Sequence, residues 1–305
     1  MNNLLLLDAS LRDGGHRTNF HFKDNELEGI LPLLDHSGIE FIEIGYRNGS
    51  LHPINDLGRA GWCAQEYVLF CRSLIKRAKI AIMAHPKNVD EKDLRELKNC
   101  GVDLLRICVS KGDLANAIPV LQNAQKIGLM VSINFIHLSY YNNAELDELL
   151  KKLHPYKPDI IYFADSNGSL LPHRVKEVYD RYIGQYNIPF GFHAHDNIGL
   201  AQTNALAALS SGVRYIDASL AGMGKGIGNL KTEFFTAYLH AINIKKYNLE
   251  DVLNAANYVR DVLKIGHETI EMDEFIRGIT DLSTADLKLY KQKLAQGNPF
   301  LKKCT

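Results

Sequence analysis

The sequence predicts an α/β fold, a (β/α)8 TIM barrel with a short C-terminal helical extension, on three observations. Short apolar runs alternate with longer amphipathic stretches, the runs are apolar throughout rather than at every second residue, and polar side chains gather at their C-terminal ends. Runs without alternation mark strands buried on both faces, which means a parallel sheet covered by helices. Strands are read near 4–10, 39–46, 79–85, 103–109, 129–138, 160–166, 189–196 and 215–222. Eight β-then-α units select the closed barrel over a doubly wound open sheet, and no G-x-G-x-x-G follows the first run, where a dinucleotide-binding sheet carries it.

The intervening stretches read as helices. Asp24 can cap one that carries Leu27, Ile30, Leu31 and Leu34 and stops near Gly38, with Pro32 as an unfavourable interior residue. Asp90 can cap another that carries Leu94 and Leu97 and stops at Gly101. The reading divides the chain into a catalytic barrel over 1–242 and a helical extension over 243–305. The extension keeps helical periodicity through Leu249, Val252, Leu253, Val259, Val262 and Leu263, turns irregular over 266–283 and ends in a basic tail.

Lys plus Arg and Asp plus Glu balance at 35 each in 305 residues, with no block of like charge. No nucleic-acid footprint and no attraction to anionic lipid follow from such a balance, so the expected partner is a small molecule. The cysteines at 63, 71, 100, 108 and 304 are widely spaced without a C-x-x-C pair, as reduced cytosolic thiols are. The opening apolar run lacks a basic flank and stops at Asp8, and no run is long enough to span a bilayer. A soluble, cytoplasmic protein is the expectation.

The chemistry centres on His193-Ala194-His195, at the end of the seventh run. Residues two apart on a strand point the same way, so both imidazoles can reach one ion while Ala194 faces the opposite side. A single histidine there reads as a satisfied core residue; two on one face, followed by Asp196 and Asn197, are costly to bury without partners. Asp13, in Arg12-Asp13-Gly14-Gly15-His16 at the end of the first run, can supply a carboxylate and leave positions for water or substrate.

In a barrel enzyme the active site lies where the strands end. Those ends offer Arg12, Asp13 and His16; Glu43, Tyr46 and Arg47; His85; Arg106; Asn134 and His137; Asp165 and Ser166; the two histidines; and Ser219. Glu43 and Arg106 read equally well as a buried ion pair, and Tyr46 and His85 as pocket wall. The run from Gly222 to Asn229 is either a flexible loop or a place where backbone approaches a ligand closely, and it lacks the Lys-Ser/Thr ending of a phosphate loop.

Four segments together, Ser10 to His16, Asp165-Ser166-Asn167-Gly168, His193 to Asn197, and Ala218 to Gly224 running on to Asn229, resemble the HMGL-like (DRE-TIM) metallolyase superfamily. The 4-hydroxy-2-oxovalerate aldolases look nearest, and the likeness keeps its order over residues 4–242. The resemblance implies that Asp13, His193 and His195 bind a divalent metal ion, commonly Mn2+ or Mg2+. It also implies that Arg12 stabilises an enolate oxygen, that His16 is the general base on the substrate hydroxyl, and that Ser166 lines the pocket. Asn229 matches a position that completes the metal shell in the lyase branch. The implied activity is that of a metal-dependent aldolase cleaving or forming a 4-hydroxy-2-oxo acid, with pyruvate and an aldehyde as products and a homodimer as the assembly.

Such a cleavage needs a base for the C4 hydroxyl proton and an electron sink for the enolate, which a neutral imidazole and a chelated cation with a fixed guanidinium supply. Departures from the aldolase pattern are Gly15, where a larger residue is common, the stretch 17–22, and the loop that follows Gly45-Tyr46-Arg47 through Pro53 and Trp62. Residues 243–305 are too short and dissimilar to promise the aldehyde dehydrogenase partner of those aldolases. The rival readings are a Claisen-type condensation of an acyl-CoA with a 2-oxo acid, oxygen chemistry at a non-haem iron triad, and a metal-binding barrel without catalysis.

Overall fold

The computed structural model describes residues 3–267 and 272–295. Its strands are β1 (Leu5–Asp8), β2 (Phe41–Arg47), β3 (Lys79–Ala84), β4 (Leu104–Val109), β5 (Met130–Phe135), β6 (Ile160–Asp165), β7 (Phe190–Ala194) and β8 (Tyr215–Ala218). They pair in sequence order, all parallel, and β8 closes on β1 with Leu5 beside Tyr215 and Asp8 beside Ala218. All eight expected strands are present; seven are shorter at one or both ends, and β2 starts later but runs one residue further, to Arg47.

Helices α1 (Asp24–His36), α2 (Arg59–Trp62), α3 (Gln65–Leu74), α4 (Glu91–Asn99), α5 (Leu114–Ile127) and α6 (Asn143–Leu153) lie between the early strands. Helices α7 (Pro172–Tyr182), α8 (Ala201–Ser210), α9 (Thr232–Ala241), α10 (Leu249–Tyr258), α11 (Met272–Thr280) and α12 (Thr284–Ala295) complete the set. Asp90 caps α4 as expected, accepting the Asp93 N–H at 2.9 Å. At α1 the cap differs. Asp24 is the first helical residue, Glu26 reaches back to the Lys23 N–H at 2.8 Å, and the Asp24 carboxylate pairs with Arg59 at 2.6 Å. Pro32 sits inside α1 without ending it, because Leu27, Ile30, Leu31 and Leu34 bury one continuous face.

Inside the barrel the side chains stack in layers. Leu7, Phe41, Ala81, Leu104, Ile160, Tyr162 and Tyr215 make an apolar plug. Two residues further along their strands, Glu43, Arg106 and Asp217 form a fully buried charged layer, and Arg106 lies 4.4 Å over the Tyr162 ring. The period of two carries that inner face upward: on β7 it runs through Gly191 and His193 and on to His195. Gly191 is required there, since a Cβ would stand 2.4 Å from Tyr162.

Past residue 242 the chain stays on the barrel. Asn248 donates to the Ser37 carbonyl at 2.8 Å, Tyr258 OH to the Asn25 carbonyl at 3.0 Å, and α10 packs between α9 and α1. The stretch read as irregular, 266–283, holds α11. That helix is fixed by polar contacts to barrel loops: Asn197 donates to Glu274 Oε2 at 2.9 Å, while Asp281 accepts from Ser139, Asn167 and Ser169 at 2.6–2.8 Å. Such contacts have no signature in local periodicity. The basic tail and Cys304 lie outside the described residues, and the four described cysteines are free and buried. Among the described residues no helix is long and apolar enough to cross a membrane.

Candidate active site

After β1 the chain turns at once: the Asp13 N–H donates to the Ala9 carbonyl at 2.8 Å, which brings Arg12 and Asp13 over the barrel mouth. Two glycines let this turn pack. A Cβ on Gly14 would meet the Met223 side chain at 2.6 Å, and one on Gly15 would meet the Phe20 ring at 2.4 Å. Phe20 thus fills the space that a larger residue at position 15 would take, which ties together two of the departures read from the sequence.

Asp13, His193 and His195 come together, one ligand atom from each lying within 4.8 Å of the others. Asp13 Oδ2 is 3.7 Å from His195 Nε2 and 4.0 Å from His193 Nε2. Cations that bind at about 2.0–2.3 Å bring neighbouring ligands to roughly 3 Å, so a modest contraction closes the set. Burial would raise the Asp13 carboxyl, yet Arg12 and the two histidines outweigh it and hold the group well below the usual carboxylate range. Burial pushes His195 down to about 3, so its lone pair is free to ligate.

The donor set passes a further test. His193 Nε2 is buried without a hydrogen-bond partner among the described residues, while His193 Nδ1 lies 3.0 Å from Asp217 Oδ2. Donation from Nδ1 leaves the Nε2 lone pair facing Asp13, the arrangement a metal-ligating histidine adopts. Asn229 Oδ1 is orphaned in the same way, and Asn229 Nδ2 donates to Asp13 Oδ2 at 2.8 Å. Asn229 reaches the site because the loop after β8 pairs back onto β7: Leu230 N–H donates to the Ala194 carbonyl at 3.1 Å and Asp196 N–H to the Gly228 carbonyl at 2.9 Å. Gly228 has φ +116°, and a Cβ there would lie 2.1 Å from the Gly222 carbonyl oxygen, so the glycines serve close backbone packing.

Beneath the candidate metal ligands runs a continuous charge chain. Arg12 donates to Asp13 and to Glu43, both at 2.7 Å; Arg106 donates to Glu43 at 2.9 Å and to Asp217 at 2.6 Å. Glu43 and Arg106 are therefore a buried ion pair that also positions the mouth. Asp217 escaped the sequence reading, although its signal was present: it lies two residues before Ser219 on an apolar strand, on the same face.

His16 stands beside this centre with its ring edge-on to Phe20 at 5.0 Å and to Tyr46 at 6.3 Å, and no hydrogen bond engages its nitrogens among the described residues. Burial, with help from Lys225 and Arg12, lowers its pKa to about 4. Tyr46 stacks on His85 at 5.7 Å, which makes both a wall of the mouth. Ser166 follows β6 and accepts the His137 N–H at 3.0 Å. Asp165 turns away to hold the Ser169 and Leu170 N–H groups at 3.0 and 3.2 Å.

The HMGL-like family model matches residues 3–259. The chain belongs to the HMGL-like family. A 4-hydroxy-2-oxovalerate aldolase of Geobacillus genomosp. 3 is 31% identical over 292 residues, covering 94% of this chain and 86% of the relative. An oxaloacetate decarboxylase of Mycobacterium tuberculosis is 28% identical over 83% of this chain and 75% of the relative. In three dimensions the chain is similar to the N-terminal domain of a Bacteroides vulgatus protein assigned as an aldolase, with TM-score 0.83, 27% identity, and coverage of 94% of this chain and 96% of that one. The chain is thus an enzyme, a carbon–carbon lyase of this HMGL-like family resembling those aldolases.

Proposed function

We propose that the protein is a divalent-metal-dependent aldolase that cleaves or forms a 4-hydroxy-2-oxo acid, yielding pyruvate and an aldehyde. The observation that carries this reading is the orphaned His193 Nε2, aimed with His195 at Asp13, beside an arginine and a neutral histidine held clear of other partners. Asp13, His193 and His195 would hold the ion, with Asn229 Oδ1 beside them, and Mn2+ or Mg2+ suits this mixed oxygen and nitrogen set. Bound there, the cation supplies Lewis acidity toward the 2-oxo acid head.

The residues of the chain do the rest. Arg12 uses two of its five N–H donors on Asp13 and Glu43, which fixes the plane of the guanidinium and leaves donors for the oxyanion that develops at C2. His16 takes the C4 hydroxyl proton. The C3–C4 bond then breaks, its electrons form the C2–C3 enolate, and the aldehyde departs. The imidazolium left on His16 is the proton source for C3, which completes pyruvate. Ser166, with His137, lines the β5–β6 side of the mouth. The free, buried thiols suit a reducing compartment, and we place the enzyme in the cytoplasm.

The decarboxylase relative favours one second reading, loss of CO2 from a 2-oxo diacid, which passes through the same enolate but needs no base. A panel of 4-hydroxy-2-oxo acids separates the two. The aldolase reading requires pyruvate and aldehyde in equal amounts and a loss of both in His16→Ala; aldehyde-free pyruvate from oxaloacetate, unaffected by His16→Ala, supports decarboxylation instead.

A further inference from the structure

The loop after β8 carries a cation that the reaction outlined above does not use. Lys225 lies between Gly224 and Gly226, its own N–H donates to Asp13 Oδ2 at 3.3 Å, and its side chain is exposed at the mouth. No hydrogen bond or ion pair engages its ammonium among the described residues. The surroundings add positive charge. Arg17 Nε holds the Gly224 carbonyl at 3.0 Å, and a Cβ on Gly226 would meet Glu274 Oε2 at 2.3 Å and Arg277 Nη1 at 3.2 Å, so α11 sits directly on this loop.

Arg277 is only 4% exposed, and its one carboxylate partner among the described residues, Glu274 at 2.5 Å, is shared with Asn197. Glu274 therefore lies beside two cations supplied by separate elements. We propose that Lys225, backed by Arg277, is an anion subsite at the mouth, so that the carbonyl half released with pyruvate carries its own carboxylate and the substrate is a dicarboxylic 4-hydroxy-2-oxo acid. This deepens the aldolase reading and rests on it for the reaction, though not for the binding.

Three points lead there. The head-group carboxylate of the 2-oxo acid is already served by Arg12 and the candidate metal site, so a second cation cluster implies a second anion. The Lys225 N–H donates to Asp13 Oδ2, which holds this residue beside the candidate ligands rather than out on the rim. Lys225 also follows Gly224, whose carbonyl accepts from Arg17, the chain neighbour of His16, which puts it on the side of the mouth where the C4 hydroxyl must lie.

Calorimetric titration of the manganese-loaded protein with 2-oxoglutarate and with 2-oxopentanoate compares two five-carbon 2-oxo acids that differ in the far carboxylate. The diacid should bind about tenfold more tightly to wild type, the order expected of one charge-assisted hydrogen bond. The ratio should fall toward one in Lys225→Met, return in Lys225→Arg, and shrink with added salt. Equal binding of the two acids to wild type, binding of neither, or a ratio that persists in Lys225→Met overturns the subsite. If the diacid preference follows Lys225 while no 4-hydroxy-2-oxo acid is cleaved, the aldolase reading fails and the subsite stands.

Discussion

His193 and Asp217 are joined across neighbouring strands, Nδ1 to Oδ2 at 3.0 Å, and the same Asp217 oxygen accepts from Arg106 at 2.6 Å. One carboxylate thereby orients the imidazole that faces Asp13 and anchors it to a charge chain that reaches Arg12 and Asp13 on the other side of the mouth.

Asp217→Asn removes the anchor and leaves the three candidate ligands in place. Manganese affinity should fall about 10- to 100-fold, the usual cost of losing such a partner. Folding stability should drop by about 3 kcal/mol or more, because Arg106 keeps its charge while losing a buried counter-ion. Manganese titration and urea unfolding of the same variant check both parts.

The pH dependence carries a sign. His16 must be neutral to act as base, and its pKa is lowered to about 4, first by burial. The rate should therefore hold level as pH falls through about 6.5, where an ordinary histidine would lose its role, and decline only near pH 4. A kcat/KM profile at saturating manganese shows which; a limb near 6.5 would mean that another group limits the rate or that His16 is not the base.

Arg12→Lys is not a conservative change here. A lysine cannot span Asp13 and Glu43 with one planar fork, so kcat should fall by about 10² to 10³. Steady-state kinetics of the variant, with manganese binding measured alongside, separates this loss from a weakened metal site.

Gly15 and Phe20 should couple. Gly15→Ala forces a Cβ toward the Phe20 ring and should destabilise the protein by about 1–3 kcal/mol, whereas the same change in a Phe20→Ala background should cost little beyond the Phe20→Ala loss itself. A double-mutant cycle in urea measures the difference, and strict additivity would show that the ring does not fill that space.

The barrel was legible because parallel strands covered on both faces leave continuous apolar runs, and because Gly38 and Gly101 mark helix ends with φ near +86° and +87°. The His193–His195 pair and Asp13 were legible because a period of two and a strand end are local patterns. Asp217 hid inside an apolar strand, where its partners Arg106 and His193 are far away in sequence. The closeness of Lys225 to Arg277 was illegible for a different reason. Their nearness arises only when α11 settles on the loop after β8, through Asn197 and Asp281, and no spacing in the chain announces that contact.

The decisive measurement is pyruvate release from a 4-hydroxy-2-oxo acid, in wild type and His195→Ala, after chelation and again after manganese is restored. Release by wild type should stop on chelation and return with manganese, and His195→Ala should give none in either condition. Release that survives chelation, or that persists in His195→Ala, would show that no metal held by His195 takes part in the reaction.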